Sequence, residues 1–395
     1  MSAIELIPSY YYSAAWHIFF LLVCWFTILY HVGSNTQKIL HADSSPLQGA
    51  ALILTLLVIV FLGLRPVSDS FVDMRLYAYA FQHNRNHYIP VDIHKEWLWT
   101  NIIIFGRRMH LTLNEYFLLI EILNVGCMFI LAWKMMRKNL WLMMLFFLTA
   151  FQFYNFATNG IRNGLACSIE LVAIALLVEA DKSKVSKYLS FFLMFLALGC
   201  HRSTMLPTVA AIASYYYFKD PKLVFRFWLV SIAISLVAGP LVEQFFVSLG
   251  FDDRMEQYSS ARMGDNLARK FSRTGFRWDF LLYSAAPVLM IWYVTNYRRF
   301  TDRTFITLGN TYLFCNAFWI MVIRSSFSNR FAYLSWFLYP VVMAYPLLRM
   351  NLWKDQDRKT AIIFFLYCGF TFFMYFIYYF GTSGFKGFGL FWWKK

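Results

Sequence analysis

Residues 51–77 read Ala51-Leu-Ile-Leu-Thr-Leu-Leu-Val-Ile-Val-Phe-Leu-Gly-Leu64, then Arg65-Pro-Val-Ser-Asp69-Ser-Phe-Val-Asp73-Met-Arg-Leu-Tyr77. No charge falls between Asp43 and Arg65, and that run matches the ~20 apolar residues needed to cross the hydrocarbon layer of a bilayer. The polar groups begin abruptly at Arg65 and then recur every four residues at Asp69, Asp73 and Tyr77. An apolar span followed by a short polar helix is the unit from which the fold is read.

Similar runs recur along the chain. They predict twelve spans, at about 14–32, 47–64, 112–133, 139–156, 160–180, 187–200, 204–218, 224–247, 279–296, 304–323, 330–348 and 360–380. Hydrophobic residues make up 59% of the chain and charged ones only 14%, well under the ~25% charged of soluble domains. A soluble fold could not hide that much apolar surface, whereas lipid can cover it. The expected fold is therefore all-α, a polytopic integral membrane protein of about twelve transmembrane helices. It forms one transmembrane domain over 1–395, with outer-face segments at about 65–111 and 248–278. Met1 to Tyr12 lacks a basic start and no small-residue cleavage site follows the first run, so the first span is expected to be retained.

Orientation follows from the short loops. Lys134, Arg137 and Lys138 share one loop, and Lys182, Lys184 and Lys187 a second. Lys219, Lys222 and Arg226 mark a third, and Arg298, Arg299 and Arg303 a fourth. Arg349, Lys354, Arg358 and Lys359 form the fifth. With twelve spans all five fall on one side, which the positive-inside tendency makes cytoplasmic, and both termini then lie outside. This placement absorbs part of the net charge of +15. No nucleic-acid-binding pattern occurs. Cys24, Cys127, Cys167, Cys200, Cys315 and Cys368 sit in or beside apolar runs with no CxxC pair, as small buried hydrophobes do. Tyr10 to Tyr12, Tyr215 to Tyr217 and Phe391 to Lys395 read as interfacial belts and anchors.

The remaining cations lie where that tendency disfavours them. Arg162 opens the fifth span in Asn159-Gly-Ile-Arg-Asn-Gly164, where Gly160 and Gly164 let a neighbouring helix approach closely. His201 and Arg202 interrupt an apolar run at the turn between the sixth and seventh spans. Arg324 and Arg330 bracket a short outer loop, with Tyr333 beyond. If 69–80 is helical, Asp69, Asp73 and Tyr77 share one face. Each feature has a bland alternative: a snorkelling arginine, a satisfied core histidine, a solvated face. Together Arg65, Arg162, Arg202, Arg277, Arg324 and Arg330 come from six distant segments to one membrane side. Arginine forks bind phosphate two hydrogen bonds at a time, so such a set suits a lipid-linked diphosphate and the charge it leaves with. No DxD, HExxH, Walker A or GxGxxG stands in a usable context, which argues against nucleotide-driven chemistry. Part of 65–111, carrying Trp97 and Trp99 amid charge, is expected to lie as an interfacial helix.

Four pieces in order now resemble a family. They are Arg65 with Asp73 and Tyr77, Asn159-Gly-Ile-Arg162-Asn-Gly-Leu-Ala166, His201-Arg-Ser-Thr-Met-Leu-Pro207, and Asn329-Arg330-Phe-Ala-Tyr333. The order resembles the EpsG-like exopolysaccharide proteins within the Wzy-type (O-antigen) polysaccharide polymerases. The resemblance implies a fold related to the GT-C membrane glycosyltransferases, in the bacterial plasma membrane, with no metal and no cofactor. It implies transfer of a growing glycan from undecaprenyl diphosphate to a hydroxyl of the next lipid-linked repeat unit at the outer face. The catalytic candidates are His201, Asp73 and Arg162, with His201 or Asp73 taking the hydroxyl proton. Arg65, Tyr77, Arg202, Arg277, Arg324, Arg330 and Tyr333 are the substrate-binding candidates. Expected partners are the lipid-linked oligosaccharide, membrane lipids, a flippase and a chain-length regulator, with no nucleic acid. The alternatives are an O-antigen-ligase-like transferase using the same diphosphate site, a flippase or exporter, for which Glu121 and Glu170 within spans would serve, and an acyltransferase with His201 as base.

Overall fold

The computed structural model describes residues 7–32, 47–71, 73–84, 87–248, 276–325 and 328–379. The expected outer segment 248–278 therefore lies outside the described residues except at its two ends, and so does Phe391 to Lys395. Helix makes up 80% of the described residues, and no strand occurs among them. Contact density divides the chain into two compact units.

The first unit holds residues 1–89, 100–165 and 347–395. Its elements are α1 (Tyr12–Val32), α2 (Gln48–Gly63), α3 (Met74–His83), α4 (Trp97–Arg108, of which the first turn belongs to the second unit), α5 (Leu113–Met136), α6 (Leu140–Leu148) and α7 (Phe153–Thr158). It also holds the start of α8 (Ile161–Leu177), the end of α15 (Tyr339–Arg349) and all of α16 (Gln356–Phe373). The second unit holds residues 90–99 and 166–346. It contains the rest of α8, then α9 (Lys184–Cys200), α10 (Met205–Tyr216), α11 (Pro221–Ser248), α12 (Trp278–Trp292), α13 (Arg303–Met321), α14 (Ser328–Trp336) and most of α15.

Each of the twelve expected spans is helical, with ends a few residues from those expected. Among the described residues, six helical stretches are long and apolar enough to cross a bilayer: Ser9–Val32, Leu113–Leu148 (α5 and α6 with the turn between them), Pro221–Val242, Trp278–Tyr297, Arg330–Arg349 (most of α14 and all of α15) and Gln356–Phe376. Gln48–Gly63, which precedes Arg65, is a shorter apolar helix. The others are interrupted or shorter. The run 139–156 splits into α6 and α7, because the chain turns at Thr149, whose hydroxyl donates to the Leu145 carbonyl at 2.7 Å. Tyr367 and Thr371 of α16 then donate to the carbonyls of Phe146 (2.6 Å) and Thr149 (2.8 Å). Those carbonyls lie at a helix end away from water, where each unpaired group is costly.

The core of the second unit uses the same device. Asn316 of α13 accepts from Trp228 Nε1 at 2.8 Å and donates to Ser335 at 3.0 Å. Ser284 of α12 accepts from Trp336 Nε1 at 2.7 Å on its hydroxyl and from Tyr312 at 2.8 Å on its carbonyl. These bonds fasten helices where apolar contact alone offers little advantage over lipid. Residues 331–346 are buried along their length and form the unit's centre.

The basic loops gather at one end of each unit. In the first, Gln48 donates to the Arg137 carbonyl at 3.1 Å, Asn139 to Leu348 at 3.2 Å and Arg349 to Met135 at 2.8 Å. The first and fifth basic loops therefore adjoin. In the second, Arg303 pairs with Asp181 and lies 4.3 Å from the ring centre of Tyr215, and Asn310 donates to the Phe218 carbonyl at 2.7 Å. That joins the second, third and fourth.

Candidate functional site

Helix α9 starts at the basic end of its unit and rises about 25 Å over its length, at 1.5 Å per residue, to Cys200. His201 follows in an extended conformation (φ −153°, ψ 117°), its N–H still donating to the Ala197 carbonyl at 2.9 Å. A single turn, Arg202–Thr204, reverses the chain into α10, and the Thr204 hydroxyl closes it on the His201 carbonyl at 2.8 Å. The turn expected between the sixth and seventh spans is thus present, at the end away from the basic loops. His201 is buried, and its Nδ1 lies 2.5 Å from Glu96 Oε1.

Glu96 is the residue that sequence reasoning missed. It precedes His201 by 105 positions and lies in Asp92-Ile-His-Lys-Glu-Trp97, where nothing marks it from any loop carboxylate. Residues 90–99 belong to the second unit although the chain on both sides belongs to the first. Trp97 fastens this strap. A Cβ on Gly199 would stand 2.7 Å from its indole, so only glycine lets the ring lie flat on α9, and Phe195 flanks it at 5.5 Å. Trp97 and Trp99 are both buried in protein, where an interfacial helix would show them to lipid. Ahead of Glu96, Asp92 Oδ1 accepts the His94 N–H at 2.9 Å and its other oxygen meets Lys95 at 3.4 Å. The His94 N–H foremost, with Lys95, holds the Asp92 carboxyl below its ordinary range, outweighing its desolvation. This Asx turn aims the next residues.

The other candidates of the second unit stand at the same end. Arg202 is in the reversing turn and half-buried. Arg277 precedes α12 with its fork on Asp279 (2.9 and 2.7 Å) and its guanidinium 3.7 Å from the Phe280 ring centre. Arg324 follows α13 and packs against a break in α11. There Ala238 is non-helical (φ −125°, ψ 19°) and Pro240 cannot continue the ladder. A Cβ on Gly239 would come within 3.1 Å of Arg324 Cδ and Nε. That Nε is buried without a hydrogen bond among the described residues. Arg330 is half-buried in the first turn of α14, and Tyr333 one turn on is buried.

In the first unit the picture divides. Arg65 is fully buried, whereas the sequence pattern placed it in an outer arginine set. Its Nη1 lies 3.3 Å from Glu121 Oε1 and also donates to the Leu62 carbonyl, and its Nη2 donates to Thr158 at 3.4 Å. Asn124 donates to the other Glu121 oxygen at 3.2 Å. The guanidinium thus has an internal anion. Asp73 stands at the N-cap position of α3 without a side-chain capping hydrogen bond, with Tyr77 one turn on, both half-buried. Asp69 lies before the helix begins and pairs with exposed Arg75 at 2.6 Å, so the three-residue face reduces to Asp73 and Tyr77. Arg162 sits in the first turn of α8 as expected. The close approach allowed by Gly160 and Gly164 is to Phe156 of α7: a Cβ on Gly164 would fall 2.5 Å from its carbonyl oxygen, and one on Gly160 2.7 Å from its ring. Of the two carboxylates within spans, Glu121 pairs with Arg65. Glu170 is fully buried in the second unit and neither oxygen has a hydrogen-bond partner among the described residues. No cluster of three His, Cys, Asp or Glu able to hold a metal occurs among those residues.

Apolar helices, internal polar fastenings, basic loops at one end and a buried His–Glu pair at the other define a polytopic membrane protein with a chemically equipped end. The chain belongs to the EpsG family, whose model matches residues 50–391 and so takes in every candidate residue above. Membership implies a polysaccharide-polymerase type of function, glycosyltransferase-like in general character, on a lipid-linked polysaccharide substrate in the membrane. No curated protein and no solved structure matches the chain.

Proposed function

We propose that the protein is a polysaccharide polymerase. It moves a growing glycan from undecaprenyl diphosphate to a hydroxyl of another lipid-linked repeat unit at the outer face of the bacterial plasma membrane. The observation that carries this reading is His201 with its Nδ1 against Glu96, beside Arg202, at the end of its unit away from the basic loops. His201 takes the proton of the acceptor hydroxyl, with Asp73 the alternative base. The acceptor oxygen bonds to the sugar carbon as the carbon–oxygen bond to diphosphate breaks, and the electron pair leaves with the diphosphate. Arg202, Arg324 and Arg330 neutralise that charge. Arg277 contributes less, since Asp279 already occupies its fork. Arg162 is assigned to the diphosphate on its sequence pattern, and Tyr77 and Tyr333 to sugar rings. Arg65 is given a scaffolding role. A flippase supplies the units and a chain-length regulator is a natural partner.

The test is purified protein in nanodiscs with the host's lipid diphosphate-linked repeat unit, chelator and no nucleotide. The expected result is a ladder of lengths with released undecaprenyl diphosphate, lost in Arg162→Ala and reduced to a slow residual rate in His201→Ala, at unchanged protein level. No ladder, but movement of the unit across a liposome membrane, overturns the reading in favour of a transporter. A wild-type ladder from Arg162→Ala removes that residue from the site.

A further inference from the structure

We propose that Glu96 is the positioning residue of the catalytic histidine and that the strap 90–99 exists to deliver it; this rests on the polymerase reading above. An ionised carboxylate only accepts hydrogen bonds, so at 2.5 Å from His201 Nδ1 it holds the ring proton on Nδ1. The lone pair is then on Nε2, which makes no hydrogen bond to any described residue. That is the tautomer a general base requires, and the carboxylate also balances the imidazolium that forms when the hydroxyl proton arrives on Nε2. The proton goes from acceptor oxygen to Nε2, and the glycan goes from diphosphate to that oxygen. Glu96 keeps its charge and gains no proton.

Asp73, the alternative base, stands at the N-terminus of α3 in the other unit, and no histidine lies within four residues of it in the sequence, so the base is assigned to His201. The strap's construction agrees. A loop carboxylate on a mobile segment would orient nothing, yet this one stands between an Asx turn at Asp92 and an indole seated on Gly199. Pro90 begins the segment and Trp97 ends its free course, so residues far apart in sequence are held to hydrogen-bond tolerance. Glu96 remains partly accessible (side-chain exposure 20%), as a group beside a substrate hydroxyl should be.

The ladder assay is run with Glu96→Gln, which keeps shape and removes charge, and with Gly199→Ala, whose Cβ would displace Trp97 and the strap. Each is made also in the His201→Ala background, and folding is checked by size exclusion. The expected result is a kcat roughly 10–100-fold lower for both, with KM for the acceptor unit within about twofold. Neither change should lower the residual rate of His201→Ala further. A kcat within about twofold of wild type in Glu96→Gln, or a loss that multiplies with that of His201→Ala, overturns the proposal while the polymerase reading stands. A wild-type protein that forms no ladder overturns both, and that outcome is read before any variant is compared.

Discussion

At the scale of single residues, two acids decide what two bases do. Arg65 and His201 looked alike in the sequence, each a basic side chain at the far end of an apolar run. The structure gives each a carboxylate partner, but the consequences differ. Glu121 meets Arg65 with both side chains at most 1% exposed, so the pair is closed to substrate. Glu96 meets His201 with a nitrogen still open. Neither partner was legible, because they lie 56 and 105 residues away and no local pattern links them. Breaking a buried ion pair from one side strands a charge and costs about 3–5 kcal/mol, while replacing both members with apolar groups is often neutral. Glu121→Leu is therefore expected to lower the thermal midpoint of the purified protein sharply, and Arg65→Met with Glu121→Leu to restore most of it together with polymer synthesis. A folded double variant without polymer would return Arg65 to the diphosphate.

At the scale of elements, the apolar runs announced nearly every helix, because twenty residues of uninterrupted hydrocarbon have few alternatives in lipid. The breaks were hidden for the same reason. The run through Thr149 stays apolar on both sides, and what permits the turn is a pair of hydroxyls, Tyr367 and Thr371, more than two hundred residues on. The glycine pair at 160 and 164 was legible as a close approach, but its partner was not: it is Phe156 in the turn just before. Gly164→Ala puts a methyl group 2.5 Å from a backbone oxygen that cannot rotate away. That variant should lose folded yield in a size-exclusion profile, and what does fold should make less polymer, because Arg162 is two residues away. Gly126→Ala in α5 meets nothing within 4 Å, and should be neutral or stabilising by up to ~1 kcal/mol from helix propensity. Equal behaviour of the two would remove close packing as the reason for Gly164.

At the scale of the whole molecule, the sequence offered a parity argument: with twelve spans the five basic loops fall on one side, and losing or adding one span between them would break that agreement. The structure bears on it independently, since side chains tie the first loop to the fifth in one unit and the second to the third and fourth in the other. Such ties need the loops of each unit at one end of that unit, and His201, Arg202, Arg277, Arg324 and Arg330 then follow at the opposite end of the second unit by helix length alone. The positive-inside tendency turns this into a statement about compartments. Cysteines introduced at exposed Lys138, Lys182, Lys219, Thr301 and Lys354 are expected to react with an impermeant maleimide only after the membrane is opened. One at Ile93, 71% exposed in the strap, should react in intact cells. Five of the six native cysteines are buried and the sixth is half-buried, so the background is low. The outcome bears directly on the chemistry. A repeat unit delivered to the outer leaflet can meet His201 only if the strap faces out, so an Ile93→Cys protein silent in intact cells but labelled from the cytoplasmic side would place the His–Glu pair where lipid-linked units are built, and the polymerase mechanism would lose its substrate.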